Sequence, residues 1–257
     1  MIELKTETEL TAMRRAGQVV AQVLAAVRER AEVGVPLREL DELASEVIAK
    51  AGASPSFLGY HPSWAPTPYP GAICASVNDA VVHAPPNGYR LRPGDLLSVD
   101  CAAKLDGWHG DAAVSFVVGP EDQADPADLA LIAQTERALA AGIAAIRPGG
   151  RMGDISQAIG QVAAEGGYGQ PDDLGGHGIG REMHEMPHLA NEGRAGRGIR
   201  LHPGLVLAIE PMLMAGGHRT RTGADGWTVY TKDGARAAHA EHTVAITKDG
   251  PRVLTLP

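Results

Sequence analysis

Four carboxylates interrupt apolar, strand-like runs of the chain: Asp100 after Leu97-Ser98-Val99, Asp111 after His109-Gly110, Glu210 after Leu207-Ala208-Ile209, and Glu241 before His242-Thr243-Val244. Burying a carboxylate costs several kcal/mol, and burying acids side by side adds like-charge repulsion, unless a cation or a shared proton neutralises them. The first two acids are linked locally. Leu91 to Val118 reads as a β-hairpin turning at Leu105-Asp106-Gly107, because Asp-Gly supplies the positive φ of a tight turn. Asp100 and Asp111 lie about equally far from that turn, so pairing brings them together on one face.

Four converging acids and a histidine form a mostly hard oxygen set with one nitrogen, suited to Mn, Fe, Co or Zn, and two dications cancel four charges where one ion does not. Without metal the acids repel one another, which raises their pKa values and loosens the site. His177, in Gly175-Gly176-His177-Gly178-Ile179-Gly180, is the nitrogen candidate, since flanking glycines permit close backbone approach. His83 and His184 fit acid/base or oxyanion-stabilising work better than ligation. His61, His109, His188, His202, His218, His239 and His242 receive no role.

These side chains need elements to hold them. Leu91-Arg92-Pro93-Gly94 through Asp100 aligns without gaps on Leu201-His202-Pro203-Gly204 through Glu210, and His83-Ala84-Pro85-Pro86 resembles His184-Glu185-Met186-Pro187. A duplicated unit follows, approximately 34–118 and 149–246 within one catalytic domain of residues 1–257, with the site at the seam. Helical spacing marks Thr8–Arg30, then Pro36–Lys50, Pro126–Ile146 and Asp154–Glu165. Ser54–Gly71, rich in proline and aromatics, reads as an ordered surface loop. Strands are expected over Ile73–His83 with a break at Asn78-Asp79, through Ile209 after the glycine-rich segment, and over Trp227–Tyr230 and His239–Ile246. Two helices then a sheet, twice over, is an α+β arrangement: two pseudo-symmetric halves with helices packed on one face of a curved antiparallel sheet.

Composition narrows the classes. The 257 residues, 44% hydrophobic and 21% charged, can bury a full core. A net charge of −8 and no Lys/Arg run argue against a nucleic-acid or anionic-membrane partner. No apolar run reaches membrane-spanning length and the start lacks signal-peptide character, so a cytoplasmic protein is expected. Cys74 and Cys101 are expected as buried thiols. Want of an apolar outer stripe points to a monomer.

Taken together, GHGIGREMHEMP, the Asp of SVD with that of HGD, AIEPM and AEHT resemble the methionine aminopeptidases, in the short bacterial type I form, within the pita-bread (creatinase-like) fold. The similarity spans nearly the whole chain. It implies a metallo-exopeptidase that removes the initiator methionine from nascent proteins and peptides when the second residue is small, with the ribosome as a further candidate partner. Carried over by motif, Asp100, Asp111, His177, Glu210 and Glu241 hold two divalent ions (Co, Mn, Fe or Zn). Asp111 and Glu241 bridge, Asp100 completes one ion, and His177 with Glu210 completes the other. The resemblance implies a metal-bridging water or hydroxide as nucleophile, with Glu210 or Glu241 taking its proton. It further implies His83 at the peptide nitrogen, His184 at the oxyanion, and a methionine pocket of Tyr69, Cys74, Met183 and Trp227. This sequence departs from relatives at Ala102, His239, Pro66 and Thr67. Aminopeptidase P and prolidase share the fold but usually carry a separate N-terminal domain, and non-catalytic members lose ligands that are all present here.

Overall fold

The computed structural model describes residues 2–257. Its helices are α1 (Glu7–Arg30), α2 (Leu37–Lys50), α3 (Pro126–Ala144) and α4 (Met152–Gly166). Its strands are β1 (Ser54–Pro55), β2 (Ile73–Val77), β3 (Ala80–Val82), β4 (Leu96–Leu105), β5 (Trp108–Val117), β6 (Gly175–Gly178), β7 (Glu185–Ala190), β8 (Val206–Ile209), β9 (Met212–Met214), β10 (Thr220–Thr222), β11 (Val229–Thr231), β12 (Ala237–His239), β13 (Glu241–Thr247) and β14 (Gly250–Val253). The central antiparallel sheet runs β1-β4-β5-β13-β8-β6-β7, with β2 also on β4 and β14 also on β13.

Local chemistry sets the helix ends. Thr6 and Glu9 form a reciprocal capping box before α1, Asp125 caps α3 ahead of Pro126 at its first turn, and Asp154 accepts the Arg151 N–H before α4. The α4 helix therefore begins two residues before the expected Asp154, whereas α3 ends two residues short of Ile146. Each helix pair covers one half of the sheet. Val20, Val23, Leu40 and Ile48 of α1 and α2 pack on Val99, Cys101 and Ala103, while Leu131, Ile155 and Ile159 of α3 and α4 pack on Leu207, Ile209 and Val244. Alternation along β4 then turns Asp100 and Ala102 to the face away from α1 and α2.

Backbone hydrogen bonds repeat between the halves. Gly34 N–H donates to Leu91 and Leu91 N–H to Val35, as Gly149 N–H donates to Leu201 and Leu201 N–H to Gly150. Likewise Gly94 N–H reaches the Val118 carbonyl and Gly204 N–H the Ile246 carbonyl.

Several sequence expectations are corrected. The strand expected through Ile209 is β8 alone, and β6 and β7 precede it; Gly196 and Gly198, at φ of 71° and 79°, break extension in the 191–205 connection between β7 and β8. The break expected at Asn78-Asp79 is present, with Asn78 at φ 60°, and it sends the two pieces to different sheets: β2 pairs with β4 and β3 with β11. His239 and Glu241 lie on successive strands, β12 and β13, rather than on one. The Ser54–Gly71 loop is not simply superficial: Phe57, Ala65 and Tyr69 are buried against Cys74, Ala102, Met183 and Trp227. Cys74 and Cys101 are buried free thiols.

Candidate active site

The β4–β5 hairpin turns at Asp106 and Gly107, both at positive φ (51° and 82°). Its register pairs Asp100 with Ala113 and Asp111 with Ala102, so the acids are diagonal neighbours on one face rather than directly opposite. Pairing of β5 with β13 sets Ala113 beside Glu241, and β13 with β8 sets His242 beside Ile209, next to Glu210. The β6 strand then lays His177 against Ala208.

These pairings bring together the five sequence-derived ligand candidates. His177 Nε2 lies 3.6 Å from Glu210 Oε1 and 4.0 Å from Asp111 Oδ2. Donor atoms of Asp111, His177 and Glu241 lie within 4.8 Å of one another, as do those of Glu210, His239 and Glu241. Burial pushes the Asp100 carboxyl up to about 7. Burial first, and then the charge of neighbouring acids, raises Asp111, Glu210 and Glu241 well above the usual carboxylate range. Burial lowers His177 to about 3, with His184 adding to the effect. His177 Nδ1 sits 2.8 Å from the Gly178 carbonyl, which can only accept, so Nδ1 carries the proton and the Nε2 lone pair faces the acids.

Asp100 Oδ1, Asp111 Oδ1 and Glu241 Oε1 are buried without a hydrogen-bond partner. Orphaned carboxyl oxygens around a neutral imidazole fit divalent cations, since no hydrogen bond among the described residues satisfies them. Supporting contacts hold the carriers: Thr243 Oγ1 bonds both N–H and C=O of Asp111, and Asn191 Nδ2 donates to the Glu210 carbonyl at 3.0 Å.

The acids floor a cavity of about 390 Å³, where Tyr69, Cys74, Met183 and Trp227 all line the wall and His83 and His184 also face the space. Trp227 stacks edge-on to Tyr69 at 4.9 Å, and its Nε1 donates to the Thr67 carbonyl at 3.2 Å. Burial lowers His83 to about 4 and His184 in the same direction. His184 Nδ1 lies 3.0 Å from the Tyr60 hydroxyl, and its ring is 4.3 Å from that of His177.

Sequence reasoning missed Phe57 and Trp64 in the wall, Tyr60 behind His184, and above all His239. His239 stands two residues before Glu241, a spacing that could have placed both on one face.

Close packing fixes His177. A Cβ on Gly176 would lie 2.1 Å from the Ala208 carbonyl oxygen. Gly176→Ala is therefore expected to cost about 1–3 kcal/mol of stability and to move His177 from Glu210, lowering melting temperature and metal affinity together in calorimetry.

Residues 11–248 match the model of metallopeptidase family M24. The chain is 52% identical to methionine aminopeptidase 1 of Mycobacterium tuberculosis, covering 100% of this chain and 96% of that one. It is 44% identical to the methionine aminopeptidase of Clostridium perfringens, over 100% and 99%. The chain belongs to family M24 and, within it, to the methionine aminopeptidases. Among solved structures it is similar to the methionine aminopeptidase from Rickettsia prowazekii, with a TM-score of 0.94, 36% identity and 100% coverage of both chains. The prolidase from Pyrococcus furiosus, at TM-score 0.78 and 21% identity over 99% of this chain and 65% of that one, shares the fold. The architecture is thus the pita-bread fold of M24 metallopeptidases, with metal-ligand candidates in its cleft.

Proposed function

We propose that this chain hydrolyses the peptide bond after an N-terminal methionine when the second residue is small, with Asp100, Asp111, His177, Glu210 and Glu241 holding two divalent ions. The observation that carries the reading is that the acids with orphaned buried oxygens line one cavity of about 390 Å³ together with Tyr69, Cys74, Met183 and Trp227. Its substrates are N-terminal Met peptides and nascent chains emerging from the ribosome. Cobalt, manganese, iron and zinc all suit the donors.

Divalent ions held by these five residues would supply Lewis-acid chemistry, lowering the pKa of the attacking water and polarising the scissile carbonyl. The protein supplies the rest. Tyr69, Cys74, Met183 and Trp227 take up the methionine side chain, where a thioether packs well against sulfur and aromatic edges. The substrate's free amine would bind at the ion that Asp100 completes, which restricts cleavage to the first bond. Glu210 or Glu241 accepts the proton of the attacking water. Neutral His184, steadied by Tyr60, donates to the developing oxyanion, and His83 serves the peptide nitrogen.

Residues 1–257 act in this reading as one catalytic domain built from two copies of a unit, 34–118 and 149–246, and the paired hydrogen bonds at Leu91 and Leu201 support that origin. No helix among the described residues is long and apolar enough to cross a membrane. A cytoplasmic monomer is the form in which we expect the enzyme to meet nascent chains.

Hydrolysis of Met-Ala-Ser, Met-Leu-Ser and an Xaa-Pro peptide tests the proposal. Met-Ala-Ser should be cut at least about a hundredfold faster than either, since a steric clash of a few kcal/mol is worth that factor. Preference for Xaa-Pro would overturn the substrate assignment. By the same rule Ile2 should keep Met1 in place, and a natively expressed chain beginning at Ile2 in mass spectrometry would count against the small-residue rule.

A further inference from the structure

We infer that His239 is an additional metal ligand of this site, joining Glu210 and Glu241 through its Nε2. The inference rests on the metallopeptidase reading above and adds to it a side chain outside the five carried over by motif.

His239 Nε2 is buried and has no hydrogen-bond partner, and the residue is 2% exposed. Its two nearest acid oxygens are Glu210 Oε2 at 3.7 Å and Glu241 Oε2 at 3.8 Å. Both distances are too long for a hydrogen bond. Both suit two donors on one ion: donors each about 2.1 Å from a metal lie about 3.0 Å apart at a right angle, about 3.4 Å at a tetrahedral angle and at most about 4.2 Å apart. The His177–Glu210 pair has the same spacing, 3.6 Å. Glu210 thus presents one oxygen to each imidazole, Oε1 to His177 and Oε2 to His239.

The imidazole is also held in place. Ser115 Oγ accepts from the His239 N–H at 2.9 Å and donates to the His239 carbonyl at 2.7 Å, and β12 pairs with β9 at His239–Met212. A ligand fixed by its backbone before metal arrives loses little freedom on binding. With His239 the ion held by Glu210 gains a second nitrogen, which turns the site from hard oxygen-loving ions toward Zn, Co and Fe.

Titration of metal-free wild type, His239→Gln and His239→Ala with Co²⁺, read by visible absorption and by heat, tests the inference. Gln is neutral and comparable in reach but lacks the imidazole nitrogen. The visible Co²⁺ bands of the wild type should shift in His239→Gln, with affinity at one ion falling about ten- to a hundredfold and the metal-free melting temperature little changed. Imidazole added to His239→Ala should restore the wild-type bands. Superposable spectra would overturn the assignment, and so would a change in affinity with the bands unmoved, which marks a hydrogen bond to the carboxylates instead. A wild type that binds no Co²⁺ would sink the metallopeptidase reading together with this one.

Discussion

Asp100→Asn should lose at least about a thousandfold in Met-Ala-Ser hydrolysis while keeping its fold. The basis is electrostatic. Asp100 is 9% exposed, one of its oxygens has no partner, and burial already raises its carboxyl to about 7. Asparagine fills the same volume but brings no negative charge to a cation and no anchor for the substrate's amine, and several kcal/mol of lost transition-state stabilisation corresponds to about three powers of ten. The metal-free protein responds in the opposite direction. Without a cation, Asp100 and Asp111 are diagonal neighbours in a buried strand pair, so removing one charge relieves repulsion. Melting of metal-free Asp100→Asn should match or exceed that of the wild type, and far-UV circular dichroism should be unchanged. Turnover at the wild-type rate would remove Asp100 from the mechanism.

Stripping the metal should lower the melting temperature by roughly ten degrees at pH 8, and by clearly less at pH 6.5. Ions present at about a thousand times their dissociation constant stabilise by about 4 kcal/mol, worth about 2–4 °C per kcal/mol in a chain of this size. The pH dependence follows from the acids. In the metal-free protein Asp100 titrates near 7, against about 3.9 unfolded, and Asp111, Glu210 and Glu241 are raised as well. Raised carboxyls contribute stability that is fully present below about pH 4 and lost as pH rises through the folded value, so the metal-free form weakens from pH 6.5 to 8. The histidines run the other way. His177 and His239 fall to about 3, and His83 and His109 to about 4, so their contribution is present above about pH 6.5 and lost as pH falls. The two trends meet just below neutrality, where the metal-free protein should be most stable. Equal melting with and without metal at both pH values would contradict the account.

Much of the site was legible because its residues break local rules. An acid inside an apolar run, such as Asp100 after Val99 or Glu241 before Thr243, has no packing reason to be there, and the Asp-Gly turn set the hairpin that joins the first two. The helices were legible from apolar periodicity, with errors of about two residues at ends decided by capping side chains such as Asp154. The three-residue strands β9 and β10 are too short to show a period, and β12, which pairs with β9, was not separable from β13 in sequence. Tyr60 and Phe57 sit in a proline-rich segment whose inward turn depends on tertiary contact with Trp227 and Met183. His239 carries no signal alone, since a single buried histidine is common, and it becomes informative only beside Glu210 and Glu241.

Counting the divalent ions held per chain tests the central claim most directly. Metal-free protein dialysed against excess Mn²⁺ or Co²⁺ and then analysed for bound metal should carry two ions, and Glu210→Gln fewer than two. A wild-type chain that holds none, or a Glu210→Gln chain that holds as many as the wild type, would contradict the proposal that these buried acids exist to bind a pair of cations.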